Sequence, residues 1–331
     1  MISVVIPCHN AEAWLAATLA SALSQTVPVE IIVVDDGSTD GSASIAEHTA
    51  GVRLIRQTAQ GVSAARNAGT AAASGDFIQY LDADDLFEPQ TLAERLACMQ
   101  QTGADVVLTP WMRWERQPNG QFESAGIIRP DLGERPELDI LIGAWWPPGA
   151  VLYRREIVAK VGPWRLDLPI IQDARFLLDS ALAGARFART QAVGLRYRVH
   201  GPDSLSRRDP RAFVEDCYRS ASELHDRWQM RGEMDDERRR ALVRVFGQIA
   251  RSLFPIDRSR FEDVLDRIHS LDARYRPEQP PMLRALSGVI GYRSAEHVAL
   301  WWRHMKAATA PAPEASRPAP APTPRDREPV A

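Results

Sequence analysis

Three carboxylates fall within four positions in "YLDADDLFEP", residues 80 to 89, where an apolar run ends. Aspartates this close repel one another, and aspartate is a poor strand former, so the cluster calls for a neutralising partner. Two more acidic groups end apolar runs nearer the N-terminus: "PCHNAE" (7 to 12) and "DDGSTDGS" (35 to 42). A hard divalent cation would neutralise such acids, because magnesium and manganese favour carboxylate oxygens and keep coordination sites for substrate phosphates. The competing explanation is structural. Asp84 and Asp85 ahead of a helix entered through Pro89 would offset its N-terminal partial charge. Spacing by itself leaves both open.

The elements that must position these acids alternate in hydrophobic period. "ISVVI", "EIIVVD", "VRLIR", "DFIQYL" and "ADVVLT" read as strands buried on both faces. Between them, Leu15, Leu19, Ala22 and Leu23 share one helical face, and Leu92, Leu96 and Met99 share another after Pro89. This alternation predicts an α/β fold with right-handed crossovers and a mostly parallel sheet. Ligands of open α/β sheets sit beyond the carboxyl ends of the strands, so the turns after strands one, two and four should meet at one edge. A dinucleotide fold would need G-x-G-x-x-G after strand one, and "IPCHNAEAWL" has no glycine. No Walker-type phosphate loop is present either.

Bulk properties narrow the class. The 331 residues carry 40 basic and 43 acidic side chains, a net charge of −3, which gives no global field for nucleic acid. Cys8, Cys98 and Cys217 have neither disulfide-framework nor zinc spacing, in keeping with a reducing, cytoplasmic location. "MISVVIPCHN" does not read as a signal peptide, and the most apolar stretch, "ILIGAWWPPGAVLY", is broken by Pro147 and Pro148. Helical patterns follow residue 210, with Leu242, Phe246, Ile249 and Leu253 on one stripe and Phe261, Leu265, Ile268 and Leu271 on another. Residues 283–306 mix Trp301 and Trp302 with Arg and Lys; this suits either an interfacial helix or one buried against protein or a second subunit. Residues 307–331 hold seven prolines and should be disordered.

The ordered stretches "SVVIPCHNAEAWLAATLASALSQT", "IIVVDDGSTDGS", "GVSAARNAGTAAASGDFIQYLDADD" and "QDARFLLDSALAG" resemble family 2 glycosyltransferases over about residues 2–206. The resemblance implies a GT-A fold: a domain over 1–208, with a nucleotide-sugar half to about 110 and an acceptor half beyond it. A helical extension over 209–306 and the tail complete the expected organisation. It implies an inverting transfer from a nucleoside-diphosphate sugar to a glycan or glycolipid hydroxyl, in cell-surface polysaccharide or glycolipid synthesis. Matched motif by motif, Pro7, Asn10 and Glu12 would line the nucleoside and Asp36 would bind the base. Asp82 and Asp84 would form the D-x-D pair, Asp84 on Mn²⁺ or Mg²⁺ and Asp82 on the ribose or the metal, with His200 as a further metal ligand or a diphosphate contact, and Arg66 would meet the diphosphate or donor sugar. Asp173 would be the general base. Gln172 stands where the family usually has Glu, and losing that neighbouring charge would lower the Asp173 pKa. A non-catalytic nucleotide-sugar or glycan-binding protein of the same fold is the alternative, with a nucleotidyltransferase as a weaker third. A peripheral membrane contact through 283–306 and a homo-oligomer complete the expected partners.

Overall fold

The computed structural model describes residues 1–200 and 209–309. Seven strands form the main sheet: β1 (Ile2–Cys8), β2 (Val29–Asp36), β3 (Val52–Gln57), β4 (Phe77–Tyr80), β6 (Val106–Leu108), β9 (Val151–Arg154) and β10 (Phe187–Arg189). Their order is β10-β6-β9-β4-β1-β2-β3. Strands β4, β1, β2 and β3 run parallel, while β9 is antiparallel to both neighbours. A second sheet, β5 (Leu86–Phe87), β11 (Leu195–Val199), β7 (Trp111–Arg116) and β8 (Phe122–Ile128), has the order β5-β11-β7-β8. The mixed sheet with its flanking helices is the GT-A arrangement expected from the resemblance.

Burial follows position in the sheet. Every residue of the central β1 is buried, whereas β3 alternates between half-buried and exposed. The sequence reading made all five runs two-sidedly buried. For β3 this fails because the strand is at the edge and one face is open. Helices α1 (Glu12–Leu23), α2 (Ser42–His48), α3 (Val62–Ala72), α4 (Thr91–Thr102), α5 (Pro136–Leu141), α6 (Arg155–Val161) and α7 (Gln172–Leu182) surround the sheets. Leu15, Leu19 and Ala22 of α1 are buried, but Leu23, at the last turn, is exposed. Helix α4 starts at Thr91 rather than at Pro89, with Gln90 in the left-handed region as its cap. Its buried Arg95 bonds Thr109 Oγ1, Gln79 Oε1 and the Gly149 carbonyl, tying the loops around β4, β6 and β9 together.

The extension forms helices α8 (Pro210–Met230), α9 (Asp236–Leu253), α10 (Arg258–Leu271), α11 (Pro281–Ile290) and α12 (Tyr292–Thr309). Asp209, Asp235 and Asp257 cap the first three by accepting the amides of Ala212, Arg238 and Arg260. The chain divides into two compact units, Met1–Ala273 and a second beginning at Arg274. Helices α8 to α10 therefore belong with the sheets, a division that differs from the one drawn at residue 208. Helix α12 runs to Thr309, so residues 307–309 of the expected tail are helical. The rest of that tail, like residues 201–208, lies outside the described residues.

Candidate active site

Glycine 69 sets α3 down on the parallel strands, since a Cβ there would come within 2.3 Å of Val5 Cγ1. That close approach brings Arg66 beneath the turn after β4. Its guanidinium is 2% exposed, lies 4.4 Å from the Trp164 ring centre and donates from Nη2 to Asp82 Oδ1 at 2.6 Å. Arg66 Nε and Nη1 find no partner among the described residues.

The four residues after Leu81 are held from several directions. Thr18 Oγ1 of α1 donates to the Ala83 carbonyl at 2.8 Å. Asp85 is fully buried and accepts the Arg198 amide at 2.9 Å, and Arg198 Nη1 donates to the Asp84 carbonyl at 2.7 Å. The Arg198 side chain lies among Trp14, Trp114 and Phe122. Asp84 Oδ2 and His200 Nε2 are 2.9 Å apart, and His200 packs on Trp14 with ring centres 4.4 Å apart. Burial, with Asp84 and Asp82 as like charges, raises Asp85 well above the usual carboxylate range. Burial also raises Asp82, with Arg66 opposing and Asp84 adding to the shift. Asp84 and Asp85 do not cap α4; Asp85 bonds the Arg198 amide of β11 instead.

Asp173 opens α7. Its Oδ1 accepts the Ala174 amide at 2.7 Å and its Oδ2 accepts Trp145 Nε1 at 2.9 Å. Burial raises its pKa, while the Arg66 charge and these two donors act against the shift. The absence of a charged neighbour at Gln172 was expected to lower this pKa, but desolvation outweighs it. Gln172 is buried and accepts the Asp173 amide through Oε1 at 2.9 Å. Trp145, Trp111 and Tyr197 form an edge-to-face aromatic cluster beside the acid.

Arg66, Asp82, Asp84, Asp173 and His200 all line one cavity of about 980 Å³. Pro7, Asn10, Glu12 and Asp36 do not line it. Pro7 is buried in β1 opposite Val34. Asn10 Oδ1 accepts the Thr39 amide and Glu12 Oε2 accepts the Gly41 amide, which stitches the first loop to the second. Asp36 accepts Gln57 Nε2 and the amides of Gln60 and Gly61, each within 2.7–2.8 Å. The parallel strands do put the three acidic turns at one edge. The acids in the first two, Glu12 and Asp36, also accept main-chain amides of nearby loops. Among the described residues no group of three or more His, Cys, Asp or Glu side chains gathers as a metal site.

Trp14, Trp145 and the aromatic cluster were not assigned roles from sequence. Nothing in the sequence pattern says which ring meets an acid.

Residues 3–162 match the family model described as "Glycosyl transferase family 2". The chain is 32% identical over 218 residues to an uncharacterized glycosyltransferase of Nostoc sp., covering 61% of this chain and 66% of that protein. It is 27% identical over 235 residues to the uncharacterized glycosyltransferase EpsJ of Bacillus subtilis, covering 68% and 66%. The chain thus spans just under two thirds of each relative's length. Among solved structures it is similar to S. aureus TarS 1–349 in complex with UDP-GlcNAc. That match has a TM-score of 0.62 and 20% identity, covering 91% of this chain and 92% of that one; it shows a shared fold.

Replacing Trp145 by Phe would remove a donor that favours the Asp173 carboxylate. The Asp173 titration, followed by ¹³C carboxyl shift, should move to higher pH. No movement would show that the indole N–H does not act on this acid.

Proposed function

We propose that the chain, whose residues 3–162 match glycosyl transferase family 2, transfers a sugar from a nucleoside-diphosphate sugar to an acceptor hydroxyl with inversion. The observation that carries this reading is the pairing of two acidic positions in one cavity. Asp82 and Asp84 lie with Arg66 and His200 at the end of β4, and Asp173, with its raised pKa, lines the same cavity. The TarS complex with UDP-GlcNAc makes a uridine nucleotide the first donor to try. The Nostoc and Bacillus relatives are themselves named glycosyltransferases, and cell-surface polysaccharide or glycolipid synthesis is the setting in which we place the reaction.

The residues present fit a divalent cation. Asp84 is the most exposed of the three clustered acids, and His200 stands against it with a buried Nδ1 that has no partner among the described residues. Asp84, with His200 beside it, would hold Mn²⁺ or Mg²⁺, with the remaining coordination positions left to phosphate oxygens and water. The bound ion would supply Lewis-acid stabilisation of the leaving diphosphate. Arg66 has two unpartnered guanidinium nitrogens near this position and adds a fixed positive charge for phosphate oxygens. Asn10, Glu12 and Asp36 support the nucleoside side of the site by shaping its loops, with Pro7 fixing the strand end.

Asp173 takes the proton from the attacking hydroxyl. Each carboxylate oxygen already accepts one N–H and keeps a second lone pair. A carboxylate raised by desolvation is a stronger base than one in water, and Trp145 with Ala174 fixes its orientation. Gln172 leaves this arrangement intact, so nothing at the position favours the non-catalytic alternative.

We place the second unit on a membrane surface. Val298, Trp301, Trp302 and Met305 of α12 follow the i, i+3, i+4, i+7 spacing of one helical face, and all are 46–59% exposed. Residues 281–309 contain four Lys or Arg and one Glu, and that Glu296 is fully buried. An exposed apolar stripe with excess positive charge, within a chain whose net charge is −3, matches an anionic lipid interface. No helix among the described residues is long and apolar enough to cross the bilayer.

Asp84→Ala should abolish metal-dependent binding of UDP in calorimetry; unchanged affinity would remove the metal assignment. Asp173→Asn should keep UDP binding while transfer falls by about 10²–10⁴-fold. In the wild type the acid limb of kcat/KM should lie above the usual carboxylate range of about 3.9, because activity is lost as pH falls through a raised pKa. Transfer at near wild-type rate in the Asn variant would mean another group is the base. The intact protein should float with phosphatidylglycerol vesicles, less so with phosphatidylcholine, and not after Trp301→Ser with Trp302→Ser. Failure to float with the anionic vesicles would end the membrane assignment.

A further inference from the structure

The cavity does not stop at Asp173. It continues past α7 to a wall built from α5, α8 and α9, where Ile140, Leu178, Val214, Val245 and Ile249 line it. Each of these five side chains is buried, at 4–7% exposed, yet faces the cavity. The full 980 Å³ is at the upper end of small-ligand pockets, typically about 300–1,000 Å³. The phosphate-compatible groups Arg66, Asp84 and His200 belong to its other end.

The chemistry of this wall is selective. Arg175 is the cation there, and it is already committed: Nε lies 2.9 Å from Asp179 and Nη1 lies 2.8 Å from Glu223. It has no surplus charge for an acidic or phosphorylated glycan. The remaining polar lining groups are Ser220, Gln248 and Ser252, while burial, with Asp216 beside it, pushes the Cys217 thiol up to about 12. A polyhydroxylated chain would leave most of its hydroxyls without partners on such a surface, at a cost that an apolar chain does not incur.

We propose that this end of the cavity seats the apolar aglycone of the acceptor. The sugar whose hydroxyl meets Asp173 is carried on an alkyl or prenyl chain that runs along α5, α8 and α9. The proposal rests on the assignment of Asp173 as the base. It gives α8 and α9 a function: they supply the half of the acceptor site that the catalytic domain lacks. Continuity with the Asp173 end is what commits the chamber to the acceptor rather than to an unrelated ligand.

Octyl β-glycosides of glucose, galactose and N-acetylglucosamine, each with a chain-terminal diazirine, test the placement on the full-length protein. Irradiation should label peptides around Val214–Ser220 and Val245–Ser252. Val245→Phe and Ile249→Phe, made separately, fill the chamber without adding a buried polar group. Each should cut labelling at least about tenfold while UDP affinity stays at the wild-type value. In transfer assays kcat/KM should rise at least about tenfold from methyl to octyl glycoside, since each buried methylene is worth about fourfold. Labelling elsewhere, no labelling, or labelling unchanged in a variant that still binds UDP would overturn the proposal. Chamber labelling without transfer to any glycoside would leave an apolar-ligand chamber standing and remove the transferase reading. Equal transfer to methyl and octyl glycosides, with labelling elsewhere, would do the reverse.

Discussion

The Arg66–Asp82 ion pair is the constraint around which the site is arranged. A guanidinium 2% exposed must be compensated, and the 2.6 Å bond to Asp82 does this while leaving two of its nitrogens unpartnered. Its charge also opposes the rise in pKa that burial imposes on both Asp82 and Asp173. Removing one partner of such a buried pair leaves an uncompensated charge, typically at a cost of about 3–5 kcal/mol. The location of Arg66 depends in turn on Gly69, because any side chain there would lift α3 off β1.

Around this pair the protein neutralises its acidic turns in two different ways. The acids after β1 and β2 are absorbed by main-chain amides, and they fix loop shape. Those after β4 meet Arg66, Arg198 and His200, and burial raises the pKa of Asp82 and Asp85. Only the second group is arranged to respond to a ligand of opposite charge. The aromatic rings of Trp14, Trp114 and Phe122 around Arg198 reinforce this, since they limit the water that would otherwise screen it.

The helical extension is continuous with this design. Helix α9 packs on α8 and α10 through the stripe Leu242, Phe246, Ile249 and Leu253, all buried. Ile249 and Val245 also reach the cavity, so the same helix serves core and site. An amphipathic helix whose apolar face is wider than its packing partner needs will leave part of that face over for a ligand.

The parallel half of the sheet was legible in the sequence because β-branched runs and helical stripes have distinct periods, and each depends only on local residues. The order of the motifs likewise made Asp82, Asp84, Arg66 and Asp173 readable as candidates. The edge exposure of β3, the start of α4 at Thr91 and the solvent-facing Leu23 were not, since each depends on what lies beside the element. Nor could spacing tell the acids that bind amides from those that face the cavity. That distinction is decided by which N–H groups and cations the folded chain brings within about 3 Å, across separations such as the 28 residues between Trp145 and Asp173. Sequence determined which groups could do the chemistry; tertiary packing determined which remained free to do it, because desolvation and hydrogen bonding act through space rather than along the chain.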